Sequence, residues 1–450
     1  MDQRTPFPPE PVGRLWSELN RYGAAYLVGG GVRDWLMGLE PHDYDLATAM
    51  LPDQVRSIAQ NAGYRVIPTG EKFGTVTVLT DAGGVEVTTF RKDGRYSDAR
   101  HPDTVTFADR IEEDLARRDF TMNAMAMMIH GVVIDPFGGW KDVERGTIRA
   151  VGDPGDRFAE DPLRMWRAVR LVAEGKAKSI DGWTFDGICR HKAATASVSA
   201  ERMRDELQRT LIAESIDGLE LASHSGILDI AIPEWTVARR YEQHNRHHDY
   251  FLSTHILETV KRTPRVLELR LAALLHDIAK PQCMVWSGNP SEDAHFYDHE
   301  ILGAKMAEAI LTRLKFPSVV VGRVTALVRY HMFPFEEAGI AAYRRLADKM
   351  GAPAVEQLVA LHEADMGASN AGRDGYRVPD AVLEKMHRAA EEAQNVLCLA
   401  IDGHQVMDLL SIPPGPEVGR ALHACREAVL EHPELNTTQD LVRIALGLRS

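Results

Sequence analysis

Over the first 140 residues the spacing of hydrophobic positions changes period several times. Residues 10–23 repeat every three to four positions, which predicts an amphipathic helix stopped by Gly23. Residues 52–63 predict another, with Pro52 near its start and Gly63 at its end. Between and after them, the runs AYLV (25–28), YRVIP (64–68), TVTVLT (75–80) and VEVTTF (85–90) predict strands. The last two flank Asp81-Ala82-Gly83-Gly84, a hairpin turn. Residues 91–110 are polar and irregular, and after GVVIDPFGG (131–139) strand signals nearly vanish. Helical periodicity then covers 160–175, 199–213, 253–263, 266–278, 301–314, 318–331, 354–364, 380–397, 404–410, 416–430 and 438–448. The predicted class is α+β: a head with a small mixed sheet over 1–150, then helical segments over 151–235, 236–370 and 371–450.

Composition narrows this picture. The chain has 450 residues, 44% hydrophobic and 26% charged, so it buries sizeable cores. No apolar run reaches membrane-spanning length, and MDQRTPFPPEPVG at the N-terminus has no apolar stretch of the kind a secretory signal needs. Cys189, Cys283, Cys398 and Cys425 are scattered with no C-x-x-C, which argues against a disulfide frame or zinc knuckle and leads us to expect a cytoplasmic protein. At a net charge of −13, binding to RNA requires a local basic surface rather than an overall phosphate grip.

Candidate chemistry concentrates in YLVGGGVRDWLMGLEPHDYDLAT (26–48). A strand leads into Gly29-Gly30-Gly31, a short helix VRDWLMG should follow, and Asp43 and Asp45 come after it. On an extended segment, residues two apart point the same way, so the two carboxylates lie side by side. Such crowding is costly without a cation, and Mg²⁺ favours one or two carboxylates plus substrate phosphates. Glycines let backbone N–H groups approach a phosphate, with Gly30 in the turn, and Arg33 adds a fork of donors. Either motif alone is most often a plain turn; together, behind a strand, they favour function. The string resembles the signature of the class II tRNA nucleotidyltransferase and bacterial poly(A) polymerase superfamily, LVGG-x-VRD followed by D-x-D.

Further segments are similar to that family. GEKFGTVTVL (70–79) matches its G-x-x-FGT-x-TV strand, and Glu86 lies on a strand that could run beside the Asp pair as a third acidic group. EEDLARRDFTMNAMAM (112–127) resembles RRDFT-x-NA, and the resemblance puts Arg118 on the nucleotide and Asp119 on its ribose. AEDPLRMWRAVRLVAEG (159–175) resembles EDPLRxxRxxRF. There Asp161, Arg164, Arg167 and Arg170 recur every third residue, a slanting polar stripe on a helix, with Leu163, Trp166 and Val169 on another face. Cytosine and adenine each set an exocyclic amine beside a ring-nitrogen acceptor. Asp161 would accept from the amine and Arg164 donate to the ring nitrogen, so uracil and guanine are rejected. The resemblance implies Mg²⁺ at Asp43 and Asp45, ATP and CTP as substrates, and tRNA as partner. The acidic balance and FGTVTV favour the CCA-adding branch over the poly(A) polymerases. RKDGRYSDARHPDTV resembles the loop of A-capable members, with His101 in place of an Arg; addition of A only, or of CC only, stays open. SVSAERMRDELQRTL (197–211) matches the family's ER-x-x-x-EL helix, and the C-terminal region 371–450 is expected to grip tRNA.

A second set lies in the middle of the chain: His255, His276-Asp277 late in an apolar helix, His299, His331 and Asp365. Each alone is an ordinary histidine or acid. Together they suit a divalent transition metal, and they resemble the HD superfamily of metal-dependent phosphohydrolases. His255, His276, Asp277 and Asp365 match its core pattern; His299 and His331 fit a two-metal version, and His248 is a weaker candidate.

Overall fold

The computed structural model describes residues 8–41, 43–68, 70–94, 104–244, 251–289, 291–369, 375–396 and 398–447. The chain forms two compact units, Met1–Pro233 and Glu234–Ser450. His248, His101 and most of loop 93–102 lie outside the described residues.

The first unit opens with α1 (Glu10–Asn20), β1 (Ala25–Val28), α2 (Gly30–Leu36), β2 (Asp45–Thr48), α3 (Pro52–Asn61), β3 (Arg65–Ile67), β4 (Thr75–Thr80) and β5 (Gly83–Thr89). Then come β6 (Arg91–Asp93), β7 (Val105–Phe107), α4 (Ile111–Ala116), β8 (Ala126–Met127), β9 (Val133–Ile134) and α5 (Gly139–Arg145). The main sheet has the order β3-β4-β5-β2-β1-β8-β9; β2 and β5 run parallel and the other neighbours antiparallel. Side-chain alternation splits it into two faces. Leu27, Leu46, Val76, Val78, Val85 and Val87 pack with Val12, Leu15, Trp16 and Leu19 of α1 and Val55 and Ala59 of α3. Val28 and Ala47 face the other way, against Ile111 and Leu115 of α4. Asp45 and Glu86 belong to this second face by the same alternation. One expectation changes: Gly30 and Gly31 already belong to α2, and of the three glycines only Gly29 takes positive φ.

The helical part of this unit holds β10 (Thr147–Ile148), α6 (Pro154–Glu160), α7 (Leu163–Ala173), β11 (Ser179–Ile180), α8 (Gly182–His191), α9 (Ala200–Ile212), α10 (Asp217–Ser225) and α11 (Ile227–Ala231). The single helix expected over 160–175 is two. Asp161 is extended, at φ −142° and ψ 100°, and Pro162 follows it. A proline disfavours the helical region for its predecessor and cannot donate into the helix. Asp161 therefore stands off the stripe of Arg164, Arg167 and Arg170 on α7. α7 is buried along nearly its whole length and packs against α9 and α10. The helices α8 and α10 were not foreseen.

In the second unit, α12 (Trp235–Ala238), α13 (Leu252–Arg262), α14 (Leu267–Leu275) and α15 (Lys280–Cys283) lead into a two-stranded pair, β12 (Met284–Val285) and β13 (His295–Phe296). Next come α16 (His299–Arg313), α17 (Ser318–Tyr330), α18 (Ile340–Met350), α19 (Ala352–Ala368), α20 (Asp380–Val396), α21 (Gly403–Leu410), α22 (Pro416–Glu431) and α23 (Thr438–Gly447). α16 packs on α17, α13 on α19 and α14 on α17. The last three helices share an apolar cluster around Val406, Cys425, Val429 and Leu441. Two expectations shift. α14 ends at Leu275, so His276 and Asp277 occupy the turn after it, and α18 was not foreseen.

Gly218 of α10 meets α7 so closely that a Cβ would lie 2.3 Å from the Val169 carbonyl oxygen and 2.6 Å from the Ala173 Cβ. Both contacts are rigid. Gly218→Ala should therefore destabilise the first unit by about 1–3 kcal/mol. Thermal unfolding checks this; an unchanged midpoint would show that α10 moves freely.

Candidate functional site

Val28 ends β1 opposite Asp45, and Gly29 follows at φ +75°, ψ −140°, a conformation that favours glycine. A Cβ at Gly29 would lie 2.7 Å from Arg118 Nη1 and 3.8 Å from an Asp45 carboxylate oxygen. The guanidinium of Arg118 thus crosses the turn beside that carboxylate. Asp45 is in register with Glu86 on the parallel strand β5, and Asp43 stands exposed two residues ahead of it. Burial lifts the Asp45 acid; Glu86 and Asp43 add to this and Arg118 opposes it, leaving it at about 6. Asp45, with the charges of Asp43 and Glu86 acting on it, is a candidate ligand for a hard divalent ion.

Arg33 faces inward. It donates to Asp34 Oδ1 from Nε and Nη2, at 2.9 and 2.7 Å, and to Asn123 Oδ1 from Nη1 at 2.8 Å. Asp119 accepts from the Phe120 N–H at 2.8 Å and from Asn123 Nδ2 at 3.1 Å, and lies 2.9 Å from Arg167 Nη2. Burial would raise the Asp119 acid, but Arg167 and Arg164 outweigh it and hold it below its ordinary value. Arg167 is the half-exposed member of the stripe.

Asp161 and Arg164 are each braced by other partners. Asp161 accepts from the Leu163 N–H at 3.1 Å and from Arg202 of α9 at 2.8 Å. Arg164 donates to Glu160 at 2.6 Å and to the carbonyls of Arg157 and Arg117 at 3.2 and 2.9 Å. Arg170 is enclosed by Glu206, at 2.5 Å, and Glu174, at 2.8 Å. It ties α7 to α9 and is directed at protein carboxylates.

The second unit gathers another cluster. His255 Nε2 lies 2.9 Å from Asp365 Oδ1 and 3.4 Å from Asp277 Oδ2; His276 Nε2 lies 3.2 Å from Asp277 Oδ2 and 3.5 Å from Asp365 Oδ1. The other Asp277 oxygen faces His299 Nε2 at 3.3 Å and His331 Nε2 at 3.7 Å. Asp277 is thus shared by two ligand sets. The Nδ1 atoms of His276, His299 and His331 meet the carbonyls of Ala273, Phe296 and Val328 at 2.8, 2.6 and 2.8 Å. A donating Nδ1 leaves the Nε2 lone pair for a metal. Burial would lower the His276 pKa, but Asp277 and Asp365 raise it to about 10. Burial would likewise raise both acids, and their imidazole partners hold them well below the ordinary range. Imidazoles and carboxylates packed dry around two points suit divalent transition metals. A cavity of about 690 Å³ opens onto Asp277, His299, His331 and Asp365, walled by Phe296, Phe333, Phe335 and Tyr376.

Three family models match the chain: the Poly A polymerase head domain over residues 25–149, the "probable RNA and SrmB-binding site of polymerase A" over 179–239, and the HD domain over 250–367. The A-adding tRNA nucleotidyltransferase of Deinococcus radiodurans is 33% identical over 442 residues, 95% of this chain and 93% of that one. The chain belongs to the class II tRNA nucleotidyltransferase family. The CCA-adding enzyme of Geobacillus thermodenitrificans is 46% identical over 213 residues. That match spans 47% of this chain and about half, 51%, of the relative. The crystal structure of the Bacillus stearothermophilus CCA-adding enzyme in complex with CTP superposes with a TM-score of 0.70 at 28% identity, covering 98% of both chains. A Thermotoga maritima CCA-adding enzyme, at 17% identity and a TM-score of 0.56, shares the fold.

Several contributors carry no local signal in the sequence. Glu160 and Arg202 brace the Asp161/Arg164 pair, and Asp34 binds Arg33. Lys280 lies 2.6 Å from Asp277 Oδ2 and 3.3 Å from Gln243 Oε1. Lys280 is an exception, with a legible signal, a cation three residues after Asp277; Gln243 had none.

Two outcomes follow for the separate clusters. The raised Asp45 acid disfavours the ionised folded state, so its contribution to stability is present below pH 3.8 and lost as pH rises through about 6. Asp45→Asn should stabilise metal-free protein above neutral pH by up to about 3 kcal/mol, seen as a higher melting point. Mg²⁺ affinity of the parent should weaken as pH falls through about 6. A lower melting point for the variant would mean that Arg118 outweighs burial. At the second cluster, charged His276 stabilises metal-free protein fully below pH 6.5, and that support is lost as pH rises through about 10. Mn²⁺ binding near neutral pH should release about one proton, measurable by calorimetry in buffers of differing ionisation heat. Uptake or no exchange would place the metal elsewhere.

Proposed function

We propose that this protein adds C, C and A to the 3′ end of tRNA from CTP and ATP, without a nucleic-acid template. The observation that carries the reading is the register of Asp45 with Glu86 beside the Gly29 turn that Arg118 crosses. The RNA 3′-hydroxyl oxygen attacks the α-phosphorus in line; a new O–P bond forms and pyrophosphate leaves with the electron pair of the broken one. Mg²⁺ held by Asp43 and Asp45 supplies Lewis acidity to the hydroxyl and triphosphate. Arg118 lies where the triphosphate meets the turn, and Arg167 reaches outward beside Asp119 towards the sugar. Asp161 keeps acceptor capacity for an exocyclic amine, and Arg164, with five N–H groups, has donors beyond its three protein partners. Gly30 gives backbone access, while Arg33 and Arg170 support from within. The head over 1–150 and the neck over 151–235 would do this chemistry, with 371–450 gripping tRNA by shape, in the cytoplasm.

A second reading, addition of A alone, is favoured by the full-length likeness to an A-adding relative. Incubating tRNAs that end before the first C, after C and after CC with CTP and ATP separates the two. Full CCA addition needs all three to be extended; extension of the CC-ended tRNA alone supports A addition. Asp161→Ala or Arg164→Ala should slow the reaction and admit UTP or GTP. A uniform rate loss with unaltered rejection removes their base-reading role.

The segment 236–370 carries, in this proposal, a separate hydrolysis of phosphomonoesters or 2′,3′-cyclic phosphates. The support is Asp277 shared between two ligand sets: His255, His276 and Asp365, and His299 with His331. Divalent transition metals held by these residues would supply Lewis acidity to the attacking water. His276→Ala with Asp277→Ala should abolish hydrolysis and leave nucleotide addition nearly unchanged. Purified protein inactive with Mg²⁺, Mn²⁺, Ni²⁺ and Co²⁺ alike would sink this activity.

A further inference from the structure

A run of buried polar contacts joins the Gly29 turn to the helix that carries Arg164 and Arg167. Lys176 Nζ lies 3.2 Å from Asp34 Oδ2. Asp34 Oδ1 binds Arg33, and Arg33 Nη1 donates to Asn123 Oδ1 at 2.8 Å. Asn123 Nδ2 donates to Asp119 Oδ1 at 3.1 Å, and Asp119 Oδ2 holds Arg167 at 2.9 Å. Arg167 is in α7 and Lys176 just beyond its end, so the path leaves that helix and returns to it. Asp34, Arg33, Asn123 and Asp119 are all 5–7% exposed.

Asn123 is the one neutral link. Arg33 only donates and an ionised Asp119 only accepts. A side-chain amide with its oxygen towards Arg33 and its nitrogen towards Asp119 satisfies both, and the flipped amide satisfies neither. Asn123 closes the 3-10 turn Thr121–Asn123, where its own N–H donates to the Phe120 carbonyl at 2.9 Å. Its removal would strand a buried Arg33 N–H and leave Asp119 Oδ1 with only the Phe120 N–H, a loss that relaxes by moving the elements that carry these groups. Arg33 is carried by α2, which begins at the turn, and Asp119 is tied through Arg167 to α7, which bears the base-reading guanidinium.

We propose that Asn123 is a positioning residue that fixes the Gly29 turn against α7 and so sets nucleotide selectivity without touching the nucleotide. This rests on the nucleotide-addition reading above. Only a fixed distance between the triphosphate end and the base-reading end lets one Asp/Arg pair test the base edge. With that distance loosened, a mismatched base finds room to shift.

The test is equilibrium binding of CTP, ATP and UTP to full-length protein with Mg²⁺ and without tRNA, beside thermal unfolding. Asn123→Ala removes both hydrogen bonds. Asn123→Asp keeps the acceptor for Arg33 and loses the donor to Asp119. Lys176→Met, outside α7, opens the same path at its far end with little risk to folding. The ratio of CTP to UTP affinity should fall about tenfold in the Asn123 variants, and in the same direction but less in Lys176→Met. Folded Asn123 variants that keep the parent's ratio overturn the proposal. If they do not fold, an unchanged ratio in Lys176→Met overturns it. A parent protein that binds CTP and UTP equally would instead refute the base-selection reading itself, and this inference with it.

Discussion

The register of two parallel strands governs the first unit. Leu46 and Val87 enter the core beneath α1 and α3, which forces their neighbours Asp45 and Glu86 onto the opposite face, side by side. A slip of β5 by one residue would turn Glu86 into the core and Val87 out of it. Apolar packing thus holds together charges that repel each other. Arg118 lies over a backbone turn bare enough to let it approach, since a Cβ on Gly29 would displace its guanidinium. The unmet electrostatic demand at the head of the sheet is created by the hydrophobic core behind it.

Away from that point the chain neutralises its buried charges locally. Arg170 is closed in by Glu174 and Glu206, Arg164 by Glu160 and two carbonyls, and Asp161 by Arg202. Such pairs add little net stability, because desolvation offsets attraction. Their effect is geometric: each fixes one side-chain direction on or beside α7. The second unit reaches the same end by a different device. His276 and His331 follow directly on the last residues of α14 and α17, and their Nδ1 atoms meet carbonyls three residues back. The ends of those helices orient the rings.

Local patterns explain how much was legible. Strand alternation located β1, β3, β4 and β5, because each signal is contained in a few consecutive residues. The His and Asp set could be read from residue type alone, and the structure brings together all six of its described members. The stripe was misjudged at Asp161, where spacing suggested a helix and Pro162 broke it. Arg33 and Arg170 show the other limit. Their sequence contexts suit phosphate contacts, yet Asn123 is 90 positions from Arg33 and Glu206 is 36 from Arg170. No local pattern announces partners at that separation. α8 and α10 bury small and polar residues such as Thr184, Gly187, Gly218 and Ser223, which blurs their periodicity, whereas α18 is clearly amphipathic and was legible.

Asp277 offers one oxygen to each side of its cluster. Two dications filling both sides would share a single negative group and repel each other across it. Loading would then be stepwise, with the second ion held more loosely than the first. Over some range of free metal the half-filled form would predominate, and any chemistry that needs both ions would rise and fall with supply. The carboxylates of the sheet belong to the first unit and share no ligand with this cluster, so occupancy of the one would not draw on the ligands of the other.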